Sequence, residues 1–167
     1  MKFGDGVEQA VHCVLMLSRL PPDGLLPASA LADFHGVSVS YLLKHLQALA
    51  GAGLLLSVPG PRGGYRLARE AEHISLLDVI VAVEGPEPAF RCSEIRQRGP
   101  SPLAERFFKA PCAVNAAMQR AEKAYRAELE RVSVASLNAD PRSALGQAIG
   151  GRALAFLETH QRRTKPA

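Results

Sequence analysis

Cys92 and Cys112 bracket a stretch rich in proline, glycine and charge, Phe90-Arg-Cys-Ser-Glu-Ile-Arg-Gln-Arg-Gly-Pro-Ser-Pro-Leu-Ala-Glu-Arg-Phe-Phe-Lys-Ala-Pro-Cys112, which has neither helical nor strand periodicity. Two thiolates supply half the ligands of a tetrahedral metal or of an iron–sulfur cluster. Two other donors, Glu8 and His12, stand four residues apart in a segment of helical pattern. They therefore project from one face, one turn apart, a spacing that brings two donors to one metal. Cys13 is turned about 100° from His12 and reads as a small buried apolar group. Glu94, Glu105 and His35 are further candidate donors. Spacing alone assigns neither Glu8 nor His12, because a histidine on an apolar helix is more often an interior hydrogen-bonded group, and a glutamate suits any helix amino terminus.

Apolar residues make up 47% of the chain while aromatics are only 5% and Trp is absent, so the core must be built from Leu, Val and Ala, which favours helices. The longest apolar run, Val11 to Leu17, contains His12 and is followed by Arg19, far short of a membrane span. Asp5 and Glu8 stand where a basic leader would be. A cytoplasmic location is expected, where thiols stay reduced and more often bind metal or do redox chemistry than form structural disulfides. The net charge of +4 suits a polyanionic partner. No nucleophile–base set, phosphate-binding loop or cofactor fingerprint is present, so an enzyme is not expected.

The elements that must position these donors begin with a helix from about Asp5 to Arg19, carried by Val7, Val11, Val14 and Leu15 and ended before Pro21-Pro22. A short helix, Ala28 to Phe34, breaks at His35-Gly36. Ser38 and Ser40 are candidate caps for a third helix running to Ala50. Its Leu42, Leu46 and Leu49 are expected to face inward, with Ser38, Ser40, Tyr41, Lys44 and His45 toward solvent. Leu54 to Val58 and Tyr65 to Arg69 read as strands joined by Pro59-Gly-Pro-Arg-Gly-Gly64. Helix, helix-turn-helix and hairpin is the order of a winged helix, which lays its third helix in the major groove of DNA and its hairpin on the neighbouring backbone. Hydroxyls and lysine at the start of that helix suit phosphates or base edges, and Arg62, Gly63 and Gly64 would form the contact of the wing.

Ser75 caps a helix from Leu76 to Glu84, stopped by Gly85-Pro86. Beyond the cysteine-bracketed loop, Val114, Met118, Ala121, Tyr125, Leu129 and Val132 form an apolar stripe on a helix of about six turns. One winged helix cannot cover that stripe, and a second copy of the helix is the economical cover. The expected architecture is mainly α with a small β-hairpin wing, a winged helix-turn-helix DNA-binding domain plus a long dimerisation helix. It divides into a DNA-binding domain at 1–85, a sensor loop at 86–111, a dimerisation helix at 112–138 and an extension of unassigned role at 139–167. In the extension, Ala144 to Thr159 reads as a helix despite its glycines and Gln161 to Ala167 as a frayed basic end.

Three segments, Ser40 to Leu54, Ser57-Val-Pro-Gly-Pro-Arg-Gly-Gly-Tyr-Arg-Leu-Ala68 and Ile74-Ser-Leu-Leu-Asp-Val-Ile-Val-Ala-Val-Glu-Gly85, resemble the Rrf2 family of transcriptional regulators, whose relatives include iron–sulfur and nitric oxide sensors. The likeness extends over about Met1 to Asp140. It implies a homodimeric regulator of double-stranded promoter DNA with a sensor loop ahead of its dimerisation helix. Cluster-binding members crowd three cysteines into this loop, whereas here it has Cys92, with Cys112 at the start of the next helix. In some members an acidic residue near the start of the first helix of the opposite subunit completes the cluster, and Glu8 occupies that place. The resemblance therefore implies a redox-sensing [2Fe–2S] cluster between subunits, held by Cys92 and Cys112 of one and by Glu8 and His12 of the other. The competing readings are a reversible Cys92–Cys112 disulfide without a cluster, and a winged helix used for protein contacts.

Overall fold

The computed structural model describes residues 3–110 and 112–163; the expected end of the sensor loop at Pro111 and the last four residues of the expected frayed end, 164–167, lie outside the described residues. Helix α1, Asp5–Leu17, buries Val7, Ala10, Cys13, Val14, Met16 and Leu17 along one face. A two-residue strand, β1 (Gly24–Leu25), leads to α2 (Ala28–His35). Gly36 ends α2 at φ 66°, a left-handed conformation that suits glycine, with its N–H bonded to the last carbonyls of the helix. Helix α3 (Val39–Gly51) starts at Ser38, whose side chain makes no cap hydrogen bond, and drives Leu42, Leu46 and Leu49 into the core.

The hairpin pairs β2 (Leu55–Val58) with β3 (Gly64–Leu67) antiparallel, Leu55 opposite Leu67 and Val58 opposite Gly64. Beyond it, α4 (Leu76–Glu84) has the expected bounds because Ser75 and Asp78 form a reciprocal capping box. The long helix α5 (Ala113–Arg131) is shorter than the expected 112–138. It stops at Arg131 because the chain turns back to pair with the entry to α4, the Leu76 N–H donating to Val132 O and the Val134 N–H to Ile74 O, both at 2.8 Å, which buries Val134. Helix α6 (Ala144–His160), capped by the Ser143 hydroxyl, returns to the amino-terminal domain, and β4 (Arg162–Arg163) pairs antiparallel with β1.

One apolar core joins α1, α2, α3 and α4 with Val134 and with Ala153 and Leu157 of α6. Helix α5 contributes no fully buried residue: Val114, Met118 and Ala121 of its stripe are exposed, whereas Tyr125, stacked on Phe3 at 6.1 Å, and Leu129 are half-buried. No helix among the described residues is long and apolar enough to cross a membrane.

Candidate DNA-reading face and sensor loop

On α3 the exposed side carries Ser40, Tyr41, Lys44 and Gln47, three or four residues apart, with Ser38 exposed just ahead of them. Gln47 belongs to this stripe by period alone and completes a face able to meet phosphates and base edges. His45 does not belong to it. At about 100° per residue it lies roughly 40° from Leu49 on the helical wheel, and only 6% of its surface is exposed. The imidazole fits between α3 and α1 because residue 6 is glycine: a Cβ there would stand 2.6 Å from Nε2. Burial, then the nearby Lys44 charge, hold His45 below the usual histidine range, partly opposed by Glu84. A DNA contact from His45 is therefore corrected to an interior packing role; polarity suggested exposure where angle dictated burial.

The wing divides in the same way. Arg62 is exposed at the turn, whereas Gly63 and Gly64 are buried. A Cβ on Gly63 would collide with the Val58 carbonyl, and one on Gly64 would stand 2.7 Å from Leu26 O. These two glycines let backbones approach closely rather than face a ligand, which corrects their expected place at the DNA contact.

The sensor loop stays irregular, with one-turn 3₁₀ segments at Ile95–Gln97 and Glu105–Phe108. Cys92 is exposed and Cys112 half-buried, both as free thiols. Cys112 is the N-cap of α5, and its Sγ accepts the Asn115 N–H at 3.3 Å. Between the two lies Arg96, whose guanidinium grips Glu94 at 2.5 and 2.8 Å and sits 4.9 Å from the centre of the Phe108 ring. Hydrogen bonding to Glu94 raises the pKa of Arg96, and the charges of Cys112 and Cys92 push it the same way. Glu94 is thereby engaged by Arg96 and held below the usual carboxylate range, which makes it a poor substitute ligand.

Glu8 and His12 are both exposed on α1, one turn apart, while Cys13 is fully buried and its thiol pushed up to about 12 by that burial. The His35 ring lies 5.9 Å from that of His12, and is held low by burial, then by His12 and Arg152. Glu105 is exposed on its 3₁₀ turn. Among the described residues no three His, Cys, Asp or Glu side chains of one chain gather into a metal site. Around the loop, Ile95, Leu103 and Phe107, with Val114 and Met118 on the first turns of α5, remain exposed.

Arg96 and Gln47 escaped sequence reasoning, Arg96 because the seven arginines from residue 91 to residue 131 carry no spacing that singles it out.

This order of helices around an exposed α3 and an arginine-tipped hairpin is that of a winged-helix transcription regulator. The Rrf2 family, described as iron-dependent transcriptional regulators, matches residues 3–140, and the chain belongs to that family. It is 36% identical over 138 residues to the HTH-type transcriptional regulator YffB of Lactococcus lactis, covering 82% of this chain and 86% of YffB. It is 39% identical to the regulator IscR of Photobacterium profundum over 83 residues, 50% of this chain and 48% of that protein. The oxidized form of CymR from Staphylococcus aureus superposes with a TM-score of 0.60 at 25% identity, covering 84% of this chain and 99% of CymR. The protein is a transcriptional regulator, a class that is not enzymatic.

Proposed function

We propose that this regulator works as a homodimer on double-stranded promoter DNA and reports redox state through a [2Fe–2S] cluster between subunits, held by Cys92 and Cys112 of one copy and by Glu8 and His12 of the other. The observation that carries the reading is that Cys92, Cys112, Glu8 and His12 are exposed or half-buried on the loop and on α1, while among the described residues no three such donors of one chain gather. Two thiolates, one imidazole and one carboxylate make up four ligands, a donor set that fits such a centre when a second copy brings the two halves together. The exposed apolar residues of the loop and of α5 suit a second copy seated over them. A family described as iron-dependent and a partial match to IscR support the same cofactor.

When bound, the cluster would supply one-electron redox chemistry, at a potential raised by its imidazole ligand. The chain's own residues convert that event into geometry. Cys112 caps α5, so a pull on its sulfur acts on the helix axis. His45, packed on Gly6, joins the amino-terminal turn of α1 to the reading helix α3. A shift of α1 would therefore tilt α3 with it, and about 1–3 kcal/mol of difference in DNA affinity makes a useful switch.

Anaerobic purification followed by visible absorption, iron and sulfide analysis and electron paramagnetic resonance tests this. A red-brown protein that loses its colour in Cys92→Ala and Cys112→Ala, with altered spectra in Glu8→Ala and His12→Ala, is expected. An unchanged spectrum in His12→Ala would remove that ligand.

A second reading rests on Cys92 and Cys112 being free thiols, one exposed and one half-buried, and on the likeness to an oxidized CymR. In it hydrogen peroxide takes two electrons and two protons from the thiols, the Cys92–Cys112 disulfide forms, and two waters leave. An iron-free, colourless protein whose DNA binding still responds to peroxide would establish it in place of the cluster.

A further inference from the structure

The segment beyond residue 140, outside the family match, is built back onto the DNA-binding domain. Helix α6 buries Ala153 and Leu157, sets Phe156 edge-on to Phe34 at 5.0 Å, and lays Arg152 over the Phe34 ring at 4.5 Å. Strand β4 then places Arg162 opposite Leu25. The adjoining Leu26 exchanges hydrogen bonds with Tyr65 of β3, at 3.0 and 2.8 Å, so β4 closes the free side of the strands that carry the wing. From there one guanidinium nitrogen of Arg162 donates to two carbonyls of the wing turn, Pro61 O at 2.7 Å and Gly63 O at 2.9 Å. These are the carbonyls on either side of Arg62.

We propose that Arg162 is a positioning residue for DNA binding, the carboxy-terminal strap fixing the wing turn so that Arg62 points outward. The turn needs such an anchor. Pro59-Gly-Pro-Arg-Gly-Gly64 has three glycines, one of them, Gly60, at φ 101°, and a glycine-rich turn loses much freedom when ordered. Within the turn, the Gly63 N–H bonds to Gly60 O at 2.9 Å. With its two flanking carbonyls drawn inward onto a charge, residue 62 is left facing solvent. Bonds to a charged donor are among the stronger ones available, and the half-buried Arg162 makes them from outside the turn.

The inference rests on the reading that the wing meets DNA, and the test separates the two. The probe is an operator duplex selected from a random-sequence library by the wild-type holoprotein, with affinity followed by anisotropy across a salt series. Arg62→Ala is expected to weaken binding and flatten the salt dependence by roughly one unit, as loss of a phosphate contact does. Arg162→Ala is expected to weaken binding about tenfold with an unchanged salt slope, because it touches the turn and not phosphate. Arg162→Lys, which keeps the charge without the planar fork, should fall between. Hydrogen exchange of the DNA-free protein should show the Gly63 and Tyr65 amides faster in Arg162→Ala at an unchanged melting temperature. A salt slope reduced by one unit in Arg162→Ala would make Arg162 a phosphate contact, and unchanged affinity or unchanged amide exchange would overturn the positioning role. If Arg62→Ala leaves affinity untouched, the wing reading itself fails, while the exchange data still report whether Arg162 orders the turn.

Discussion

The His45 imidazole lies against Gly6 so closely that a Cβ on residue 6 would stand 2.6 Å from Nε2, which joins the first turn of α1 to α3. Two opposed effects decide what Gly6→Ala does. Alanine is worth roughly 1 kcal/mol over glycine inside a helix, whereas overpacking a tight contact costs about 1–3 kcal/mol. The collision involves a buried ring set edge-on to Tyr41 at 4.8 Å, so it wins, and a net loss of up to about 2 kcal/mol is expected in chemical denaturation. Gly6→Ala combined with His45→Ala should recover most of the loss introduced by Gly6→Ala. A more stable Gly6→Ala protein would show that α1 and α3 are not coupled here.

The same imidazole sets a pH dependence. Burial keeps His45 below its ordinary value, with Lys44 adding to the effect and Glu84 opposing it. The unfolded chain takes up the proton at about 6.5, before the folded one does, so stability is full above that value and is lost as pH falls toward the folded pKa. His35 is shifted the same way and adds to the trend. The melting temperature of the metal-free protein should drop between pH 7.5 and 5.5, and His45→Gln should remove part of that drop. An equal drop in both proteins would exclude His45 as its source.

Arg96 ties Glu94 to Phe108 within the loop between Cys92 and Cys112, yet Glu94 and Arg96 are too exposed to carry global stability. Arg96→Ala should leave the melting temperature unchanged. Chymotryptic cleavage after Phe107 and Phe108 should become severalfold faster, because local opening governs proteolysis of a segment with so few buried contacts. Unchanged cleavage would mean that the loop is ordered by something other than Arg96.

The elements read most directly from sequence were those whose ends are set locally. Helix α4 matched its expected bounds because Ser75, Asp78 and Gly85 start and stop it within its own turn. The hairpin followed from the glycine and proline turn between two short apolar runs. What escaped depends on distant partners. Nothing near Arg131 ends α5; the pairing of Val132 and Val134 with Ile74 and Leu76 does, across more than 50 residues. Nothing in Gly146-Gln-Ala-Ile-Gly-Gly151 announces that α6 docks on Phe34. At the site, the exposed half of α3 followed from period, while His45 was misplaced because a buried histidine is defined by the glycine it packs on. Arg162 could not be distinguished from its neighbour Arg163 until the wing carbonyls stood in front of it.

The three cysteines should react in a fixed order. Cys13 is enclosed in the core with its thiol pushed up to about 12, so at pH 8 only about one molecule in ten thousand carries the thiolate that attacks a reagent. Cys92 stands in solvent, and Cys112, half-buried at the start of α5, has its sulfur engaged by the Asn115 N–H. With the metal-free protein and an aromatic disulfide reagent, Cys92 should react first, Cys112 more slowly and Cys13 only on unfolding. Cys13→Ala should therefore leave both the fast phases and the cluster spectrum intact. Cys13→Ser should cost more stability than Cys13→Ala, since it buries a hydroxyl with no partner supplied, at about 1–3 kcal/mol. Loss of the visible spectrum in a folded Cys13→Ala protein would place Cys13 among the ligands and undo the assignment of Glu8 or His12.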